Sequence, residues 1–382
     1  MRTLPYQPRF IFAVYVAATL IATIHLLALG NVTFGGYTWT TYNNYIIFRQ
    51  SFFHLLNGTN LYIEYVPQHW DLFKYSPSFA LFMGIFACLP DWVGLIGFNL
   101  LNTLVLLAGI RSLRFNTATE SRLLWFLLFE LIISLQNVQV NALTTGLLLF
   151  SFNSFEKGQL FRAALWLSCA AFIKVYGAIG FILFLFYPGK WRFVLYSILL
   201  LVCIGLSPII FTGTEKLIWQ YHNWFRMMSA DYTASYGWSI MGVLHAWLGS
   251  ELKHSVIAFG VCLFFIPLAF KASYTHTQFR LLFFAFMLVW VVVFNHKAES
   301  PTYIIAVTGV AIWYFMQPAT KWNSFLLSLV FVFTSLSHTD IFPQFLRKDL
   351  IYPYYIKTVP CIVVWIVILT QLLRNKPLEE NT

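Results

Sequence analysis

Apolar runs of about 15 to 21 residues recur from one end of this chain to the other, each near the length needed to cross a hydrocarbon core of about 30 Å. Only helices satisfy their own backbone groups in such a medium, so the chain reads as an all-α polytopic membrane protein, one integral membrane domain over residues 1–382. Composition closes the alternative: 59% of residues are hydrophobic and 10% charged, against roughly 25% charged in a soluble domain. The many Phe, Tyr and Trp residues are in part the aromatics that membrane proteins place at headgroup depth.

A formal charge of +10 raises nucleic acid as a partner, but the basic residues form no stripe. They sit in short clusters between apolar segments, which is a topology signal. Cys88, Cys169, Cys203, Cys262 and Cys361 fall inside apolar runs without metal-ligand spacing and read as small packing residues. The run at 10–29 is too long for the h-region of a signal peptide and has no convincing small-residue cleavage site after it, so an uncleaved first span is expected.

With a cytoplasmic N-terminus, crossings fall near 10–29, 93–110, 123–136, 142–155, 162–174, 175–187, 193–211, 254–270, 281–295, 302–316, 323–337 and 358–373, about twelve in all. Arg2, Arg9, Arg111, Arg114, Arg122, Lys157, Arg162, Lys190, Arg192, Lys271, Arg280, Lys321, Arg374 and Lys376 then all lie inside, as the positive-inside rule requires. Two conditions produce that result. The short run at 78–89 must be re-entrant or interfacial, and 161–187 must be two short helices with Lys174 at their outer turn. Both termini are then cytoplasmic and the long loops, 30–92, 212–253 and 335–357, all lie outside. Long loops carry function more often than short turns.

Candidate chemistry gathers there. The first loop holds Asn44, Arg49, His54, Glu64, His69, Asp71, Lys74 and Tyr75, more acids, bases and imidazoles than anchoring needs, and 51–56 reads as an amphipathic interfacial piece. Gln136, Asn137, Gln139 and Asn141 cluster at the outer end of the third run, as interhelical glue or as part of a site. Lys174 is an isolated cation between apolar half-spans. An ionisable group there costs about 2.5 to 3.5 kcal/mol on insertion scales and marks a functional site by default. A phosphate is its natural partner, and snorkelling to headgroups is the alternative. Glu130 lies deeper, either paired with a buried polar group or facing a cavity. His296, Lys297 and Glu299 stand together where the ninth run ends, a set able to bind phosphate or relay a proton. No compact carboxylate cluster points to a metal site, and whether a divalent metal assists is open.

The order of these residues resembles glycosyltransferase family 87, the polyprenyl-phosphate-mannose-dependent mannosyltransferase-like proteins. The resemblance rests on Asn44 to Arg49, on Gly58-Thr59-Asn60-Leu61-Tyr62 and on Phe73-Lys74-Tyr75-Ser76-Pro77. It continues in Gln139-Val140-Asn141, similar to a G-Q-x-N segment, and in Phe172-Ile173-Lys174 with Tyr176. It implies a C-type glycosyltransferase bundle, a bacterial inner-membrane location and an active site facing outside. The donor would be a hexose, such as mannose, on polyprenyl phosphate, and the acceptor a lipid or glycan. On that basis Asp71, Glu64, Glu299 and His296 are the candidate catalytic residues, with Asp71 as base and His296 and Glu299 as a relay. Asn44, Arg49, Lys74, Tyr75, Gln139, Asn141, Lys174 and Lys297 are the candidate binding residues, the cations clamping the donor phosphate. Two positions depart from the family pattern. Asn44 stands where the family has an acid, and an amide cannot accept a proton at neutral pH; Val138 replaces the glycine of G-Q-x-N. A secondary transporter, a lipid-linked oligosaccharide polymerase or ligase, and a non-catalytic family member are the rival readings.

Overall fold

The computed structural model describes residues 4–231 and 235–374; Arg2 and Lys376, assigned above to the inner side, lie outside them. In chain order the helices are α1 (Pro8–Leu29), α2 (Asn43–Leu56), α3 (Pro77–Phe82), α4 (Gly84–Ala87), α5 (Asp91–Ser112), α6 (Thr117–Gln136), α7 (Asn141–Glu156) and α8 (Leu160–Ile173). They continue as α9 (Lys190–Leu206), α10 (Ile209–Asp231), α11 (Ile240–Leu248), α12 (Lys253–Phe265), α13 (Thr277–Val293), α14 (Tyr303–Phe315), α15 (Lys321–Leu329), α16 (Gln344–Leu346) and α17 (Val359–Leu373). A hairpin of β1 (Asn31–Phe34) and β2 (Tyr37–Thr40) joins α1 to α2.

Local chemistry sets many of the boundaries. Pro8 occupies the first turn of α1, where a missing N–H costs nothing, and Gly30 ends that helix at φ +69°. Asn116 caps α6 by accepting from Thr119 N, and Ser76 caps α3 by accepting from Phe79 N, each satisfying an orphan amide. The centre of the bundle is α13 packed on α14, whose residues from Tyr303 to Trp313 are all buried. Gly146 lets α7 approach α5 closely: a Cβ there would meet the Val105 carbonyl oxygen at 2.5 Å, the small-residue contact that membrane helices favour.

This is an integral membrane protein, yet its spans are less uniform than the sequence implies. Among the described residues, Pro8–Leu29, Asp91–Ser112 and Ile356–Leu373 are each long and apolar enough to cross a bilayer, and α9 with α10 passes as a pair bent by 95°. Other apolar helices run to 10–17 residues. Several runs expected as single spans are composite. Residues 254–270 become α12 followed by a 3-10 turn (Ile266–Ala269), and 323–337 become α15 followed by a π-helical segment (Val330–Leu336). The break within 161–187 stands at Lys174, which is extended (φ −140°, ψ 125°) between α8 and a 3-10 helix (Val175–Phe186). That helix folds back on α8, with Gly180 against Leu167.

Other expectations need correction. The run at 193–211 ends early, at Ser207-Pro208, because proline cannot continue the hydrogen-bond ladder. Much of the loop assigned to 212–253 is helix α10, whose buried Leu217, Gln220, Trp224 and Met227 recur at helical spacing and form one face. That face lies on the stretch 30–92, with Gln220 Nε2 donating to Thr59 O and Trp224 Nε1 to Lys74 O. The stretch 30–92 is itself packed: α2 is a 14-residue helix, not a short piece at 51–56, and buries Tyr45, Phe48 and Leu55. Around Phe48, the rings of Tyr75 and Phe79 stand edge-on at 4.9 and 5.4 Å. Of the cysteines, Cys361 alone is buried and Cys88, Cys203 and Cys262 are exposed, so packing does not account for those three.

Candidate active site

Four chain breaks meet at one end of the bundle. The first joins α6 to α7. There Gln139 N reaches back to Ser134 O at 3.0 Å, and Val138 takes a left-handed conformation at φ +47°, which closes the helix and turns Gln139 inward. The second is the α8 break, with Lys174. The third follows α13, where Glu299 and Thr302 form a reciprocal cap and Lys297 N donates to Asn295 Oδ1 at 2.9 Å. Gly237 supports this turn at φ +59°; a Cβ on it would meet the His296 carbonyl oxygen at 2.5 Å. The fourth is the approach to α3, which carries Asp71, Lys74 and Tyr75. Ser76 Oγ ties it to Phe172 O at 2.5 Å.

Between them lies a cavity of about 670 Å³. Asn44, Asp71, Lys74, Tyr75, Gln139, Lys174, His296, Lys297 and Glu299 all line it, although Asn44 and Glu299 are far apart in sequence. Gln139 is the hub. Its Oε1 accepts from Tyr75 Oη at 3.1 Å and from Lys174 Nζ at 3.5 Å, while its Nε2 donates to Glu299 Oε2 at 3.1 Å. Lys174 Nζ also stands over the rings of Tyr75 and Tyr176, at 5.1 and 5.6 Å. Asn44 Nδ2 donates to Asn137 O at 2.8 Å and so braces the α6–α7 turn.

The lysines of the cavity are arranged in ion pairs with one exception. Lys74 contacts Asp71 at 3.1 Å and Lys297 contacts Asp231 at 2.8 Å. Among the described residues, Lys174 has no carboxylate within ion-pair distance. Burial pushes the Lys74 ammonium down, but Asp71 together with Asp231 and Glu299 outweighs it, and the net shift is upward. His296 is driven down to about 4 by burial and then by Lys253 and Lys297, against the pull of Asp231. At neutral pH it is an uncharged imidazole. Asp71 is set by its own backbone: Oδ1 accepts from Leu72 N at 2.7 Å, and His69 Nδ1 lies 2.7 Å from Asp71 O.

Three expected site residues lie elsewhere. Glu64 is exposed and does not line the cavity. Arg49 turns away to pair with Asp91 at 3.0 Å and to cover the Phe53 ring. Asn141 is fully buried behind the wall, accepting from Tyr176 Oη. Glu130 is fully buried and not a lining residue. Sequence reasoning missed Asp231 and Trp224, both on α10. Their signal was the apolar spacing of α10 inside a stretch read as loop. It also passed over Trp70, which lines the cavity beside Asp71.

A helical membrane protein with lysines, carboxylates and amides gathered around one cavity at the helix ends is equipped to bind a polar substrate. A family model described as glycosyltransferase family 87 matches residues 73–339, well over half of the chain, and the chain belongs to that family. The match includes Lys74, Gln139, Lys174, Asp231 and Glu299, whereas Asn44 and Asp71 precede it. No curated protein matches the chain significantly.

Proposed function

We propose that this membrane glycosyltransferase moves a hexose from a polyprenyl-phosphate donor to a lipid or glycan acceptor, in the cavity between α2, the α6–α7 turn, Lys174 and Glu299, on the extracytoplasmic face. The observation that carries the reading is Lys174: a cation on the cavity wall without a carboxylate partner among the described residues, flanked by Tyr75, Tyr176 and Gln139. Lys74 and Lys297 are already neutralised by Asp71 and Asp231, so Lys174 has charge to offer an incoming phosphate. The placement outside is supported by the basic clusters in the opposite loops.

In the reaction, a carboxylate takes the proton of the acceptor hydroxyl, the oxygen attacks the anomeric carbon, and the bond from that carbon to the donor phosphate oxygen breaks. Negative charge then accumulates on the lipid phosphate, where Lys174 stabilises it. Asp71 is assigned as the base: its side chain is 45% exposed, lines the cavity and is oriented by Lys74 at 3.1 Å. Glu299 orients Gln139, whose amide is placed to meet sugar hydroxyls. His296, uncharged, serves as a proton acceptor in a relay rather than as a phosphate clamp. Asn44 positions the α6–α7 turn and takes no proton.

The test is transfer of radiolabel from polyprenyl-phosphate hexoses into lipid or glycan by the purified protein in nanodiscs. Lys174→Ala lowers transfer by about 10²–10³-fold and Lys174→Arg retains a measurable part of it. Absence of transfer from every donor by the folded wild-type protein, or transfer indifferent to Lys174→Ala, overturns the reading.

A further inference from the structure

The cavity changes character from floor to rim. Its floor is charged, but the segment that borders it from Gly30 to Asn44 contains no charged residue at all. In the hairpin, Val32 pairs with Trp39 and Phe34 with Tyr37, which places all four on one face, while Thr33 and Thr38 share a hydrogen bond on the other. The Tyr37 and Trp39 rings stack at 5.7 Å, and Trp39 meets Trp70 edge-on at 5.6 Å. Trp70 is 50% exposed and is itself a lining residue of the cavity, so a continuous aromatic strip leads from the hairpin into the site.

A second feature stands at the same place. Asn43 is 2% exposed and lines the cavity next to Trp70. Its Oδ1 accepts from Trp70 N at 3.2 Å, but its Nδ2 has no hydrogen-bond partner among the described residues. A buried amide donor left without an acceptor is costly and calls for one. A ligand that lays an apolar face on an aromatic ring and offers hydroxyl oxygens beside it satisfies both features, and a pyranose does so.

Resting on the reading above, we propose that Trp70 and Asn43 form the acceptor subsite, that the acceptor enters as an uncharged saccharide chain, and that Trp39 and Tyr37 hold its next sugar. The rival occupant of an aromatic hairpin is the bilayer interface. Against it, Trp39 spends its indole N–H on Val66 O at 2.8 Å, which holds the ring against the loop that carries Trp70 and Asp71.

Equilibrium binding tests this without donor or turnover, so it fails or succeeds independently of transfer. The protein in nanodiscs is titrated calorimetrically with mannotriose, maltotriose and cellotriose and with the parent monosaccharides. At least one trisaccharide binds. Trp70→Leu and Asn43→Ala each weaken it about tenfold, Trp70→Phe restores binding, and Trp39→Leu weakens the trisaccharide more than the monosaccharide. No binding by any trisaccharide, or binding indifferent to these substitutions, overturns the proposal. So does fluorescence quenching by brominated lipids that is lost in Trp70→Leu, which assigns the strip to the bilayer.

Discussion

Lys357 Nζ lies 2.8 Å from Glu130 Oε1, and both side chains are fully buried. The pair joins α6 to the 3-10 turn (Ile356–Thr358) that leads into α17, across 227 residues of sequence. Lys357 also stands over the Tyr303 ring at 5.2 Å and its carbonyl accepts from Thr334 Oγ1, whereas Glu130 Oε2 has no partner among the described residues. Removing one member strands a charge in an apolar interior. Glu130→Leu or Lys357→Met alone therefore costs about 3–5 kcal/mol, while the double substitution is close to neutral or stabilising. Denaturation in detergent micelles reads the difference. Two additive single costs would show that the residues act separately.

Val138 carries a strain of a different kind. A β-branched residue at φ +47° is an outlier, and the left-handed conformation costs roughly 1–2 kcal/mol. Val140, next but one, is equally buried but sits at φ −85°. Both lose a buried isopropyl group on substitution by glycine, but only Val138→Gly recovers the strain. It is expected to be less destabilising than Val140→Gly by about 1–2 kcal/mol, as measured by unfolding of the two variants side by side.

That left-handed valine also shows what the sequence could disclose. The glycine expected at 138 from the family pattern marked a backbone requirement, and the backbone there is left-handed even with valine. The break at Lys174 was legible for an electrostatic reason, since a single span would have put Lys190 and Arg192 on the wrong side. Periodicity could place Gln139, Lys174 and Glu299 at one end of the bundle, but not around its axis. It therefore could not tell Lys74, on the cavity, from Arg49, which turns to Asp91. Helix α10 escaped because its apolar face is only one stripe on a polar stretch that the length of the preceding run had already assigned to loop. The Glu130–Lys357 pair was out of reach for the same reason as any long-range contact: neither residue's own neighbours name its partner.

Acid should weaken the protein before its carboxylates titrate. His54 is lowered to about 4 by burial and then by His69, against a hydrogen bond to the Gln68 side chain. His296 is lowered to about 4 as described, and burial followed by Lys357 and Arg347 takes His338 to about 3. In the unfolded chain these imidazoles protonate near about 6.5. Between that value and the folded one the unfolded state binds more protons, so stability is complete above pH 6.5 and is lost as pH falls. The apparent Tm is expected to drop between pH 6.5 and 5, and His54→Gln and His296→Gln to flatten that drop. A Tm that holds steady over this window would mean that these imidazoles are already charged in the folded protein.

The assignment of the base separates two carboxylates that face the same cavity. Asp71 Oδ2 meets Lys74 at 3.1 Å, whereas Glu299 Oε2 is engaged by Gln139 at 3.1 Å and its carboxylate also caps Thr302. Converting Glu299 to Gln keeps an oxygen for either the cap or the Gln139 amide, so transfer falls modestly and the acidic limb of the pH profile stays. Converting Asp71 to Asn removes the proton acceptor, and kcat falls by about 10²–10⁴-fold with loss of that limb, while donor KM changes little because Lys174 is untouched. If Glu299→Gln rather than Asp71→Asn abolishes the limb, the base is Glu299, and Gln139 becomes the group that orients it toward the acceptor hydroxyl.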